Sequence, residues 1–216
     1  MTKTGILSAT SAYFVRLFLS IRAVCASFIP TPPTVVGSNT AIIADNTIRQ
    51  VPDHQEVYLD KDGFTSIIFD ITERVGTSGS GAATDGAAMT THLEDIVDSD
   101  LDTVKVWSIT DTKFSKLPEG TPAYTLIATQ TPPRDPNSRN SAPDFTAIVL
   151  NLIRLEKEHT DILVTINVPH IKGEYTEDDV DLQLGKQGKL IENAVEHAAK
   201  VWETFKIKDW GLFDEV

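Results

Sequence analysis

Cysteine is almost absent: Cys25 is the only one in 216 residues, so no disulfide can close within the chain and no cysteine-rich metal site can be built. Such usage suits a reducing compartment. Bases are scarce as well. Nineteen Lys and Arg face 31 Asp and Glu, giving a net charge of -12 and a pI of 4.7, which leaves no cationic footprint for nucleic acid. An acidic surface favours basic protein partners, or simply solubility. Acids in turn are missing from the first 44 residues, where Lys3, Arg16 and Arg22 are the only charges. No stretch supplies the ~18 uncharged apolar residues that crossing a bilayer requires, because Arg16 and Arg22 break the run from Ser11 to Phe28. That run has the composition of a presequence-like or accessory tail. "FIPTPPTVVGSN", with three prolines, reads as a linker. Residues 1–36 are therefore set apart as an N-terminal extension, and 37–216, with ample apolar material for a core, are expected to form one domain.

What is present after Val35 has the pattern of a sheet. "QEVYL" alternates, with Val57 and Leu59 facing one way and Glu56 and Tyr58 the other. "LDKDG" turns the chain, and "TSIIFDI" then puts Ile67, Phe69 and Ile71 on one face, so a hairpin is predicted from Gln55 to Ile71. "GTSGSGAATDGAA", from Gly76 to Ala88, has the composition of a flexible loop. A helix is predicted to start at Thr91, which forms a capping box with Glu94 and leads into the apolar stripe Leu93, Ile96 and Val97. "TVKVWSIT" and "AYTLIAT" read as strands. "FTAIVLNLIRLEK" and "DILVTINVPH" are nearly unbroken apolar runs, which predicts central strands covered on both faces. Ile191, Ala194, Val195, Ala198, Val201, Trp202 and Phe205 recur at helical spacing and predict a closing helix across the sheet. The fold class is α+β: a largely antiparallel sheet with helices on both faces.

The familiar constellations of enzyme chemistry are missing. Gly81 and Gly86 have the spacing of a phosphate loop, but Ala87 and Ala88 stand where a lysine and a hydroxyl residue must hold phosphate and magnesium. His54, His92, His159, His170 and His197 show no metal-ligand spacing, so no metal or other cofactor is expected. Five acids between Glu174 and Asp181 read as a solvated run before the last helix. Asp70 and Glu73 leave two geometries open. On a continuing strand they point to opposite faces, whereas a turn after Ile71 would make them a two-carboxylate pincer. A hydrolase built on a carboxylate pair with His92 or His170 is one alternative.

"IRQVPDHQEVYL", "SIIFDITERV", "HLEDIV", "PDFTAIVLNLIRLEKEHTDILVTINVP", "GKQGKLIENAVEHA" and "IKDWGLF", in that order, resemble the Mog-type Ran-interacting proteins, also called Ran guanine nucleotide release factors. The likeness covers about Ile42 to Phe213 and looks like that of a fungal member. It implies a PsbP-like antiparallel sheet between helices. It also implies a monomeric nuclear and cytoplasmic protein, not an enzyme, that binds the GTPase Ran, promotes nucleotide release and supports nuclear import. Carried over by motif, the partner-binding residues are Asp70 and Glu73 foremost, then Arg49, Asp53, Gln55 and Glu56. A PsbP-like module with a different partner is the remaining alternative, since fold alone does not specify function.

Overall fold

The computed structural model describes residues 34–35, 41–42, 48–49, 54–59, 65–76, 79, 81–98, 101–132 and 142–213; the extension expected over residues 1–36 lies almost wholly outside them. Three two-residue strands come first, β1 (Thr34–Val35), β2 (Ala41–Ile42) and β3 (Ile48–Arg49). The main hairpin follows as β4 (Gln55–Leu59) and β5 (Ser66–Glu73), then helix α1 (Ala82–Ile96), strands β6 (Val104–Asp111) and β7 (Ala123–Gln130), the long pair β8 (Phe145–Leu155) and β9 (Thr160–His170), and helix α2 (Gly188–Thr204). Seven strands form one sheet in the order β1-β4-β5-β9-β8-β7-β6, and every pairing in it is antiparallel. β2 and β3 pair separately.

The central position of β8 and β9 follows from their apolar runs. Strands covered on both faces need apolar side chains at odd and even positions alike, and from Ala147 to Leu155 every residue of β8 is buried. Alternation then assigns the faces. Tyr58, Phe69, Ile71, Ile153, Ile162 and Val164 meet Val201 and Phe205 of the closing helical segment, while Val149, Ile166 and Val168 meet Ile191, Ala194 and Ala198. The opposite face presents Leu126, Ala128, Ile148, Leu150, Leu152 and Leu163 to Ala88, Met89, Leu93 and Val97. The predicted stripe of the closing helix is thus the one that packs. At ~1.5–3 kcal/mol for each large side chain taken from water, these two layers supply the main favourable term of folding.

Two expectations are corrected. The helix after the Gly-rich stretch begins at Ala82, so 82–88 are its first two turns and not a loop. Alanines lose little entropy in a helix, and Asp85 closes the first turn: the Asp85 N–H donates to Gly81 O at 2.9 Å, and the Gly81 N–H donates back to Asp85 Oδ2 at 3.0 Å. Thr91 is therefore no cap. It lies mid-helix, its Oγ1 donating to Ala87 O at 3.2 Å.

Gly188 opens α2 at φ +69°, a conformation that side chains other than glycine's rarely adopt, and an added Cβ would sit 2.6 Å from Val180 Cγ2. Both the backbone and the space oppose substitution. Gly188→Ala is expected to destabilise the domain by more than about 1 kcal/mol, measured as a lowered urea midpoint with unchanged slope.

Candidate partner-binding site

The β4–β5 register places Gln55 opposite Asp70, and the Gln55 Nε2 amide donates to Asp70 Oδ2 at 2.8 Å. Asp70 Oδ1 is buried and receives no hydrogen bond; His54 Nε2 stands 3.8 Å from it. The Asp70 side chain is 16% exposed and that of His54 43%. Burial pushes the Asp70 carboxyl above the usual carboxylate range, against the Gln55 hydrogen bond and the charges of His54 and His92, which pull it down. The hairpin thus holds a carboxyl where its charged form is disfavoured.

Glu73 is exposed and ends the same strand. β5 continues straight through Ile71 and pairs with β9 as far as Glu73↔Thr160, so Asp70 and Glu73 project from opposite faces, roughly 10 Å apart at ~3.3 Å per residue. The two-carboxylate pincer is not formed, because the β9 ladder holds the segment extended. Glu56 departs from the expected charged surface in another way: it is 3% exposed, opposite Phe69 on the α2 face. The alternation in "QEVYL" is real, yet its polar side faces inward. Arg49 is in β3, opposite Ala41; Asp53 lies outside the described residues. Gln55 and Asp70 are therefore brought together, with His54 beside them, a residue that motif reasoning did not single out.

Behind this hairpin is a group that sequence reasoning missed altogether. Arg154 and Asp161 face each other across β8 and β9 and are both wholly buried. Arg154 Nε donates to Asp161 Oδ1 at 3.1 Å, and its Nη1 donates to Asp85 Oδ1 at 2.7 Å. Asp161 Oδ2 lies 2.9 Å from His92 Nε2 and accepts the Val75 N–H at 3.0 Å; Asp85 Oδ2 accepts the Tyr124 hydroxyl at 2.6 Å. Arg154 Nη2 also donates to Val75 O. Burial by itself would raise both carboxyls, but for Asp85 the bonds from Tyr124, Gly81 and Arg154 outweigh it, and for Asp161 those from His92, Val75 and Arg154 do. Both end below the ordinary range. Burial and the Asp85 charge push the Tyr124 hydroxyl up to about 12. The one available signal was a lone Arg inside the apolar run of β8, followed seven residues later by a lone Asp in β9.

Since the Val75 backbone is held at both its N–H and its carbonyl, this network fixes the chain as it leaves Glu73 for α1. Removing the cation would leave two buried carboxylates unpaired. Arg154→Met is expected to cost about 3–5 kcal/mol in urea unfolding, and adding Asp85→Asn and Asp161→Asn to recover part of the loss. The pH signs of the carboxylates differ. Depressed values at Asp85 and Asp161 contribute stability that is present above about pH 4 and lost as pH falls through their folded values. The raised value at Asp70 does the reverse, costing stability at neutral pH and relieving it on acidification. Asp70→Asn is therefore expected to melt at or above the parent temperature at pH 7, with the difference shrinking towards pH 4.

The profile of the family described as Ran-interacting Mog1 protein matches residues 40–169. A Dictyostelium discoideum relative, a probable ran guanine nucleotide release factor, is 25% identical over 171 residues, covering 76% of this chain and 84% of the relative. The fold is shared with the crystal structure of the Saccharomyces cerevisiae Ran-binding protein Mog1p, at 24% identity and a TM-score of 0.51, over 83% of this chain and 92% of that one. A Mog1 protein with one glutamate replaced by alanine matches over the same shares, with the same identity and TM-score. The profile spans more than half of the sequence and includes the β4–β5 hairpin, α1 and all but the last pair of the β8–β9 ladder, so this chain belongs to the Ran-interacting Mog1 protein family.

Proposed function

We propose that this chain, a fungal member of the family, binds the small GTPase Ran and promotes release of its guanine nucleotide in support of nuclear protein import. Residues 37–216 act as the Ran-binding unit, in the nucleus and the cytoplasm. The observation that carries the site is Asp70. A carboxyl whose charged form burial disfavours, with one oxygen lacking a donor, weakens the fold when ionised unless a partner's cation completes it. Glu73, free on the other face at the end of the strand, offers a second and separate anchor, so the partner is gripped around the end of β5. Gln55 orients Asp70. Arg49 and Asp53 are carried over from the family motif as further contacts, while Glu56, being buried, supports the hairpin from within.

A GTPase holds its nucleotide through a phosphate loop, its lysine and magnesium. A binding protein that engages the nucleotide-poor state more tightly shifts the population towards release. Pairing of Asp70 and Glu73 with basic groups that otherwise support the nucleotide supplies this difference in affinity. The chain acts as a binding protein with no catalytic site of its own. The two histidines of a carboxylate-dependent hydrolase are both committed to the interior, His92 against Asp161 and His170 wholly buried with Nδ1 3.0 Å from Val168 O.

Mixing the purified chain with Ran carrying a fluorescent nucleotide tests this reading. Release is expected to accelerate with chain concentration; an unchanged rate up to saturating amounts would overturn it. Asp70→Lys or Glu73→Lys is expected to cost several kcal/mol of Ran binding, while Glu73→Lys leaves the melting temperature nearly unchanged. A parallel loss of binding and stability in the Glu73 variant would mark that carboxylate as structural.

A further inference from the structure

β6 ends the sheet, and among the described residues β7 is the only strand it pairs with. Two of its apolar side chains are exposed, Val106 at 44% and Ile109 at 51%. The main-chain groups that β6 turns outward follow from those it spends on β7. The Thr112 N–H donates to Ala123 O at 2.9 Å, and the ladder Asp111↔Tyr124 to Ser108↔Ile127 continues that register. Residues 112, 110 and 108 therefore bond inward and 109 and 111 point out. Before the bulge between Val106 and Ser108, Thr103 O accepts from the Thr131 N–H at 2.9 Å, so 103 and 105 bond inward while 104 and 106 point out.

The outward groups are thus at 104, 106, 109 and 111, with intervals of two, three and two residues. A regular strand offers outward groups every two residues and falls out of step at the bulge. A strand with the same interruption, run antiparallel, matches throughout, because the intervals read the same in both directions. We propose that the occupant of this edge is β6 of a second copy of the chain. Val104 then lies opposite Asp111 of the other copy and Val106 opposite its Ile109, both as hydrogen-bonded pairs. The bulge also restores facing: Val106 aligns with Ala128 and Ile109 with Leu126, which lie on the α1 face, so the two exposed side chains meet across the new pairing on one face. Trp107, the extra residue, is turned to the other side, its Nε1 donating to Thr129 Oγ1 at 2.9 Å and Lys105 Nζ 3.9 Å from the centre of its ring. The pairing replaces the monomer expected from sequence. It leaves the Ran-facing hairpin free, since three strands separate β6 from β5 and put the two roughly 20 Å apart at ~4.8 Å per strand.

Cysteine cross-linking in a Cys25→Ser background reads the register directly. Hydrogen-bonded partners on antiparallel strands have Cα atoms ~5.5 Å apart, within disulfide reach. Val106 and its own copy are offset by three residues, roughly 10 Å, and are not. Under a mild oxidant, the Val106→Cys, Ile109→Cys double variant is expected to form an intermolecular disulfide, and each single variant is not. Sedimentation should show a dimer growing with concentration in the parent and in Asp70→Lys, and none in Val106→Lys with its circular dichroism unchanged. Singles that cross-link as readily as the double, a dimer that survives Val106→Lys, or a monomer at every concentration would each overturn the proposal.

Discussion

The buried guanidinium of Arg154 is the constraint around which the rest is arranged. Taking a charge of that kind out of water costs several kcal/mol, and the cost is offset only because Asp161 and Asp85 meet it at 3.1 and 2.7 Å. Those carboxylates are in turn satisfied by Tyr124, His92 and backbone N–H groups. The cluster therefore links β7, β8, β9, α1 and the connection out of β5. Apolar packing between sheet and helices is tolerant of small slips; a set of charges that must all be paired is not. This fixes where α1 starts and how the end of β5 is presented.

Asp70 is the counterpart of that network at the surface. The inner carboxylates have enough donors to lie below the ordinary range, whereas for Asp70 burial outweighs the Gln55 amide, the nearby imidazole and the Ile71 N–H. The contrast sets fully paired carboxyls beside a poorly satisfied one within one sheet. Asp85 and Asp161 hold the fold, whereas burial disfavours the charged form of Asp70.

The two ends of the sheet differ in how their edges are handled. One ends in the two-residue β1, too short to template a neighbour. The other ends in an eight-residue strand whose bulge makes it unmatched by an ordinary strand, a device that limits indiscriminate pairing while remaining compatible with itself.

Much of the architecture was legible before any coordinates. Period-two and unbroken apolar runs located β4 through β9, and the 3.6-residue stripe located α2, because burial of apolar surface leaves its periodicity in the chain. Local chemistry misjudged α1, whose Gly-rich approach looks like a loop until Asp85 is tied to Arg154 and Tyr124. It equally left open whether Asp70 and Glu73 share a face, since only pairing with β9 keeps that segment extended. The sequence by itself determined the set of elements and the family motifs. Only the tertiary structure decided which acids are buried, which are paired and which stay exposed, because the free energy of a charge depends on neighbours that the chain brings together from up to 86 residues away.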